Sequence, residues 1–182
     1  MVVKETYLKG CYLITPRVFN DKRGYFFESF NTIQFEKQTG LKITFVQDNQ
    51  SLSNKGVLRG LHYQKGDNAQ AKLVRVIKGS VLDVCVDLRP GSKTYGKYFS
   101  IVLDAKQHQQ LYIPKGFAHG FLVLEDQTIF SYKCDNYYNK EAEAGFIYND
   151  QTLAINWQLP LQELIISDKD LLLPTFNNFN RE

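Results

Sequence analysis

The sequence predicts a mainly β protein that folds as one domain, in the form of a sandwich or a barrel. Its 182 residues suffice for one domain or at most two. Aromatic residues make up 14% of the chain, with 11 Tyr and 13 Phe, and aromatic side chains favour strands. From Gly56 to Phe130, short apolar runs alternate with glycine-containing and polar turns, with no helical pattern between them. Such spacing is typical of sandwiches and barrels.

The N-terminal part combines strands with one helix. Asn31 can cap this helix and Gly40 can end it. The predicted elements are, in order, strands over 1–20 interrupted at Pro16, a turn over 21–24, a strand-prone aromatic segment over 25–30, the helix over 31–40 and a strand over 43–49.

The central part consists of predicted strands and the tail of shorter elements. The strands fall over 56–64, 73–77, 81–88, 95–103, 110–113, 121–124 and 128–132. The tail has apolar runs at 147–148 and 153–157 and a short helix near 167–172, which Ser167 can cap. We predict that 56–64 and 110–121 are neighbouring strands.

The strand over 56–64 carries polar residues in an apolar, glycine-spaced run. A period of two along a strand places Arg59, Leu61 and Tyr63 on one side, opposite His62. A lone strand histidine is more often a satisfied core residue. A second histidine, an arginine and a lysine nearby favour a functional site instead.

Charge and cysteine content exclude several classes of protein. A net charge of +3, from 22 basic and 19 acidic residues, is too balanced for a nucleic-acid or membrane-surface protein, but it permits a local basic pocket. Cys11, Cys85 and Cys134 are far apart and odd in number, which indicates neither a disulfide framework nor a zinc site. We expect no signal peptide, because the N-terminal residues lack an apolar run behind a basic start, and no apolar run in the sequence reaches membrane-spanning length. We expect a soluble cytoplasmic protein without nucleic-acid or membrane partners.

Several motifs, in order and nearly without gaps, resemble the dTDP-4-dehydrorhamnose 3,5-epimerases. The resemblance runs from about residue 10 to 174 and rests on 21–28, 45–49, 57–64, 70–75, 113–121, 132–133, 136–138, Trp157 and 167–170. It implies that residues 1–182 form a single domain with a mainly β, cupin-type jelly-roll barrel and short flanking helices. It also implies a nucleotide-sugar substrate, the dTDP-linked 4-keto-6-deoxy sugar of dTDP-L-rhamnose biosynthesis.

The chemistry of such a substrate needs a base, an acid and a cation. Hydrogens at C3 and C5 lie α to the C4 ketone, so removing one gives an enolate, and a proton returned to the opposite face inverts the centre. The resemblance implies His62 as base, Tyr132 as proton donor, Lys72 as the enolate-stabilising cation and Asp170 as the carboxylate that holds His62. A nearby cation could lower the pKa of the tyrosine. Asp168 is a rival for Asp170.

Each of these residues also has an ordinary structural interpretation. Lys72 alone would be an edge or snorkelling lysine, Tyr132 a core tyrosine and Asp170 a solvated charge.

The resemblance implies a substrate-binding set that includes residues of a partner subunit. Tyr138 would stack on the thymine ring. Arg23 and Glu28 would come from the other subunit of a homodimer with N-terminal strand exchange. The full implied set is Arg23, Glu28, Gln47, Asn49, Arg59, Lys72, His119, Tyr138, Glu143 and Lys169.

We predict no metal and no cofactor. Metal-binding cupins use a His-x-His pair, whereas this chain has His62, Tyr63 and Gln64, and only three histidines in all. Three alternatives stay open from the sequence. They are a single-carbon epimerase on a related nucleotide-linked 4-keto sugar, a metal-dependent oxygenase and a non-catalytic sugar-binding protein.

Overall fold

The computed structural model describes residues 1–179, and most of its regular structure is β-strand. The strands are β1 (Val2–Glu5), β2 (Tyr12–Thr15), β3 (Phe19–Asp21), β4 (Gly24–Phe26), β5 (Gln47–Ser53), β6 (Val57–Gln64), β7 (Lys72–Lys78), β8 (Ser80–Asp87), β9 (Tyr98–Asp104), β10 (Gln110–Ile113), β11 (Phe117–Val123), β12 (Thr128–Cys134), β13 (Glu143–Gly145) and β14 (Ile165–Ile166). The α-helices are α1 (Thr32–Thr39), α2 (Asp168–Leu171) and α3 (Phe176–Phe179), and short 3₁₀ turns cover Gly66–Asn68, Lys140–Ala142 and Leu161–Glu163.

The strands form two main sheets and a separate hairpin. The first sheet has the order β1-β2-β10-β7-β12-β5, and the second has the order β13-β6-β11-β8-β9, with β14 parallel to β6. Strands β3 and β4 pair only with each other. The remaining pairings are antiparallel. This architecture confirms the predicted fold class.

The main core lies between the two sheets. Val74 and Phe130 from the first sheet meet Val81 and Phe121 from the second, and the rings of Phe121 and Phe130 stack 4.1 Å apart. Full burial of one such side chain contributes about 1.5–3 kcal/mol. The core therefore fixes the two sheets as opposite walls of one barrel.

Both sheets are also covered on their outer faces. Phe146, Trp157 and Phe176 of the C-terminal segment pack on the second sheet, and Phe35 of α1 packs on the first. Strand β8 is therefore covered on both sides, and all eight of its residues are buried. A polar side chain on β8 is therefore shielded from solvent on either face of the sheet.

Local signals predicted α1 and α2 correctly, whereas α3 was not predicted. The Asn31 side chain accepts a hydrogen bond from the Gln34 amide at the start of α1, and Gly40 ends the helix with φ 72°. Ser167 caps α2 in the same way, accepting from the Asp170 amide. These caps depend only on residues three or four positions apart, which is why the sequence was sufficient to find them.

Several predicted boundaries are wrong because pairing with other strands decides them. The strand placed over 43–49 is β5, which begins at Gln47 and runs to Ser53 because it pairs with β12 along its whole length. The stretch 110–121 divides into β10 and β11, which lie in different sheets. The other differences are that only 25–26 of the aromatic segment lies in a strand, that β9 begins at Tyr98, that β11 begins at Phe117, and that 147–148 and 153–157 form no strand.

The prediction of one domain over 1–182 extends to 180–182, which lie outside the described residues. Within residues 1–179, none of the helices is both long enough and apolar enough to span a bilayer.

Candidate active site

A cavity of about 700 Å³ lies between the two sheets. Strands β5, β7 and β12 contribute residues from the first sheet, β6 and β11 from the second, and the segment 165–170 closes one side. Eight of the sequence-predicted site residues line it: Asn49, Arg59, His62, Lys72, His119, Tyr132, Lys169 and Asp170. Lys72 thus faces the cavity and is not an edge lysine.

An irregularity in the pairing of β6 and β11 brings Arg59 and His62 to the same side. His119 pairs with His62, and Phe121 pairs with Arg59. The two paired positions are therefore two residues apart on β11 but three residues apart on β6. The extra residue shifts the alternation of β6, as a β-bulge does. Both side chains line the cavity, and the prediction that they lie on opposite faces is wrong.

Two glycines allow the close approach of these strands at the irregularity. A Cβ at Gly60 would lie 2.6 Å from the Gly120 Cα, and a Cβ at Gly120 would lie 2.8 Å from the Arg59 carbonyl oxygen. Side chains at these positions would push β6 and β11 apart. The glycines therefore maintain the distance between the two histidine-bearing strands.

The first histidine of the cavity is held by a carboxylate from the C-terminal segment. His62 Nε2 lies 2.7 Å from Asp170 Oδ1, and Asp170 Oδ2 accepts a hydrogen bond from the Gly60 amide. Burial favours the neutral acid, but the hydrogen bond from His62 and the charges around Asp170 outweigh it, so the pKa of Asp170 is lowered. Asp168, the rival candidate, is exposed. Asp170 is thus the carboxylate in contact with His62.

Tyr132 and Lys72 face the cavity from the first sheet. The Lys72 ammonium lies 5.9 Å from the centroid of the Tyr132 ring. Burial lowers the pKa of Lys72 and raises that of Tyr132. Arg59 acts to lower the pKa of Tyr132, as expected of a nearby cation, but burial outweighs it. The phenol therefore keeps its proton at neutral pH, as a proton donor must.

In a second histidine–carboxylate pair, His119 lines the cavity, whereas Asp83 is fully buried and does not line it. His119 Nε2 is 2.9 Å from Asp83 Oδ2, and the two side chains are 6% and 0% exposed. Asp83 Oδ1 is buried and has no hydrogen-bond partner within the described residues. The sequence analysis did not single out Asp83. The sequence does contain a signal for Asp83, because it is a carboxylate among the apolar residues of 81–86. Charged side chains are rarely buried in such a strand unless they have a partner.

Polar contacts at the mouth of the cavity join the remaining predicted ligands. The Tyr138 hydroxyl donates to Glu143 at 2.7 Å, and the Lys169 ammonium donates to the same carboxylate at 2.5 Å. Gln47 accepts from the Tyr138 amide and donates to Asn49. Burial alone would raise the pKa of Glu143, but the hydrogen bonds from Lys169 and Tyr138 lower it. Glu143 is therefore ionised at neutral pH.

Arg23 and Glu28 do not join the cavity of the same chain. Arg23 is exposed and pairs with Asp21 at 2.6 Å, and Glu28 accepts a hydrogen bond from the Asn31 side chain. Among residues 1–179, no group of three or more His, Cys, Asp or Glu side chains is placed to hold a metal ion.

Comparison with known proteins gives full-length matches. The sequence profile of the dTDP-4-dehydrorhamnose 3,5-epimerase family matches residues 5–178. A curated dTDP-4-dehydrorhamnose 3,5-epimerase from Escherichia coli K12 is 50% identical over 181 residues, covering 100% of this chain and 97% of that protein.

Two solved structures share the fold along almost their whole length. The crystal structure of dTDP-4-dehydrorhamnose 3,5-epimerase from Elizabethkingia anophelis has a TM-score of 0.95 at 53% identity and covers 99% of this chain and 98% of that one. A dTDP-6-deoxy-D-glucose-3,5-epimerase from Legionella pneumophila, in complex with dTDP-4-keto-L-rhamnose, has a TM-score of 0.92 at 44% identity. The match covers 97% of this chain and 93% of that one.

A jelly-roll barrel with a cavity lined by histidine, lysine, tyrosine and aspartate side chains has the site architecture of an enzyme that acts on a small molecule. The matches identify its chemistry as sugar epimerisation. The chain belongs to the dTDP-4-dehydrorhamnose 3,5-epimerase family, whose activity is a step of dTDP-rhamnose biosynthesis.

Proposed function

We propose that this chain inverts C3 and C5 of dTDP-4-dehydro-6-deoxy-D-glucose, giving dTDP-4-dehydro-L-rhamnose, through an enolate formed in the described cavity. The observation that carries the proposal is the position of the two proton-transferring side chains. His62 lies on β6 of one sheet and Tyr132 on β12 of the other, and both face the same cavity. A sugar between the walls is thus accessible to a base on one face and an acid on the other.

His62 is the base in this mechanism. It removes the hydrogen from C3 or C5, and the hydrogen bond to Asp170 orients its ring and stabilises the imidazolium that forms. Part of the imidazole is accessible from the cavity, whereas Asp170 is buried. This is the arrangement needed for a histidine that contacts substrate while its carboxylate does not.

Lys72 and Tyr132 complete the proton transfer. The electron pair left by the proton moves onto the C4 oxygen, where the Lys72 ammonium stabilises the developing negative charge. The Tyr132 hydroxyl then gives its proton to the opposite face of the carbon, which inverts the centre. The raised pKa of Tyr132 keeps it protonated for this step. Once His62 has released its proton to solvent and the Tyr132 phenolate has taken one up, the same groups act at the second carbon.

The nucleotide end of the substrate fits the mouth of the cavity. Arg59 supplies a planar fork of donors for the diphosphate. Gln47, Asn49, His119, Glu143 and Lys169 provide the further polar contacts of the proposed binding set, and Tyr138 offers its exposed ring for stacking on thymine.

A homodimer is the second part of the proposal. Phe19, Tyr25 and Phe26 of the β3–β4 hairpin are 51%, 60% and 70% exposed, which is an unusual amount of aromatic surface for so short a segment. Arg23 and Glu28 lie on or beside this hairpin and outside the cavity of their own chain. Exchange of the N-terminal strands with a second copy would cover the aromatic side chains and bring both polar residues to the partner's cavity.

Product stereochemistry tests the reaction directly. Incubation with the 4-keto sugar in D₂O should place deuterium at both C3 and C5, with the L-sugar as the product by NMR. Deuterium and inversion at one carbon only would contradict the proposal and assign the single-carbon reaction.

Light scattering tests the assembly. The expected mass is about twice that of the monomer. A fully active monomer would refute the shared site. The predicted cytoplasmic location stays a prediction from the sequence.

A further inference from the structure

The β3–β4 hairpin needs an anchor on the barrel if it is to hold Arg23 in a fixed place. Within residues 1–179, its two strands pair only with each other, so the hydrogen bonds of the two main sheets do not position it. The Arg23 guanidinium donates to Asp21 in the same hairpin. The orientation of the hairpin therefore depends on side chains that join it and the residues after it to the barrel.

His108 makes such a contact with two aromatic rings. It lies in the turn between β9 and β10, and its ring centroid is 4.6 Å from that of Tyr25 and 4.7 Å from that of Phe27. Aromatic rings attract each other at such distances. Tyr25 lies two residues after Arg23, and Phe27 directly precedes Glu28. The imidazole thus contacts the chain beside both ligands that the proposed dimer shares.

The backbone of His108 indicates what its side chain adds. The residue has φ 55°, in the left-handed region where residues other than glycine are uncommon. A glycine would form this turn without the steric cost of a Cβ. The two ring contacts are therefore the contribution of the histidine, and the imidazole is half-buried by them and its other neighbours.

Two residues of the first sheet hold the same segment. The Arg75 guanidinium lies 6.0 Å from the centroid of the Phe27 ring, and the buried Gln110 side chain donates to the Ser29 carbonyl oxygen at 2.6 Å. All of these contacts are within one chain. The segment from Tyr25 to Ser29 is therefore fixed to its own barrel, and the turn that carries Arg23 projects from that anchor.

We propose that His108 is a positioning residue that holds Arg23 and Glu28 in place for the cavity of the partner subunit. It acts through Tyr25 and Phe27 and does not line the cavity itself. This role rests on the proposed function, since Arg23 and Glu28 reach a cavity only in the proposed dimer. Without the imidazole, the hairpin has fewer contacts with its barrel, and both ligands bind the substrate less well.

The test replaces His108 by Asn, which tolerates the left-handed backbone and removes the ring. KM should rise about five- to tenfold while kcat stays within a factor of about two, because binding contacts that are equal in the ground state and the transition state affect KM alone. His108→Tyr, which restores an aromatic ring, should return KM towards the wild-type value. If His108→Asn does not fold, Phe27→Leu removes the same ring contact from the other side and carries the same expectation.

Gln127→Asn is the matched control. Gln127 is exposed in the turn between β11 and β12, has φ 56°, and donates to the Asn54 side chain rather than to the hairpin. The same substitution in the same backbone conformation should leave KM unchanged. Measuring Tm for both variants reports any cost to the fold separately from the effect on substrate binding.

Hybrid dimers, purified with two different affinity tags, separate an effect on the partner's cavity from an effect on the same chain. In the first hybrid, one subunit carries His62→Ala and the other carries His108→Asn. Its working cavity belongs to the His108→Asn subunit but receives the hairpin of a subunit with an intact His108, so KM should equal that of the wild type.

In the second hybrid, a wild-type subunit is paired with one that carries both His62→Ala and His108→Asn. Its working cavity is wild type but receives the hairpin of the altered subunit. KM should therefore be raised as in the His108→Asn homodimer, although the working cavity belongs to an unaltered chain.

Three results would overturn the proposal: an unchanged KM in folded His108→Asn, an equal rise in Gln127→Asn, or hybrids in which the two outcomes are exchanged. A monomeric wild type would overturn it together with the shared site. If the wild type were a dimer that did not epimerise the sugar, the proposed reaction would fail. The Kd for dTDP of His108→Asn and Gln127→Asn would then still decide whether the ring acts on nucleotide binding.

Discussion

The two histidine–carboxylate pairs of the cavity are alike in chemistry and differ in environment. His62–Asp170 and His119–Asp83 have nitrogen–oxygen distances of 2.7 and 2.9 Å, and the two histidines face each other across β6 and β11. The His62 side chain is 28% exposed and that of His119 is 6% exposed. Asp170 uses its second oxygen to accept from the Gly60 amide, whereas the second oxygen of Asp83 has no hydrogen-bond partner among residues 1–179.

This difference separates the tasks that the pairs can perform. The outer pair is complete within the fold and its imidazole is accessible, so it can exchange a proton with a substrate. The inner pair is buried, and only its histidine lines the cavity. The account therefore assigns proton transfer to His62 and substrate binding to His119.

Removing the outer histidine should have the largest effect. General acid–base groups contribute about 10²–10⁴-fold, so His62→Ala should reduce exchange at C3 and C5 by at least that factor. His119→Ala, which removes the inner imidazole, should reduce exchange less. Deuterium exchange measured by NMR compares them, with Tm as the check that each variant is folded. A larger loss in His119→Ala would reverse the assignment.

Removing the outer carboxylate should have the next largest effect. Asp170→Asn leaves the base in place but takes away the charge that orients it and stabilises its protonated form, so kcat should fall at least about tenfold. Asp168→Asn is the matched control, because this residue lies in the same helical turn and is exposed. Steady-state rates of the two variants give the comparison. Equal losses would mean that charge near α2, and not contact with His62, matters.

The outer pair was predictable from the sequence in a way that the inner pair was not. The motifs around His62 and Asp170 resemble those of a known family, and the register of 167–170 favoured Asp170 over Asp168. Asp83 belongs to no recognised motif, and its contact with His119 joins residues 36 positions apart. Only the pairing of β8 with β11 brings them together.

The same distinction holds for the fold. The caps of α1 and α2 are local and were predicted at the right residues. The start of β5 and the irregularity at Gly60 depend on partner strands far away in sequence, so periodicity alone placed both wrongly.

Glu143→Gln should have a smaller effect, confined to binding at the cavity mouth. The substitution removes the charge that holds Lys169 and weakens the acceptor of Tyr138, so the Kd for dTDP should rise a few-fold with little change in kcat. The lowered pKa of Glu143 means that the contact survives down to pH values below the usual pKa of about 4.3. Titration calorimetry should show the wild-type advantage at pH 7 and its loss as pH falls through that lowered pKa.

Chelation should have no effect. The groups around His62 and His119 do not make up a set of metal ligands among the described residues. Activity should survive exhaustive treatment with a chelator. A loss that is reversed by adding a divalent ion would refute the cofactor-free mechanism.

The central claim is that base and acid act from opposite walls, and deuterium exchange in Tyr132→Phe tests it most directly. This variant keeps His62 and Lys72, so the enolate should still form and solvent or the base should return deuterium to the original face. The expected result is deuterium at C3 or C5 with inversion much reduced. If exchange and inversion were lost equally while the substrate still bound, Tyr132 would be needed to form the enolate, and the assignment of two faces would be wrong.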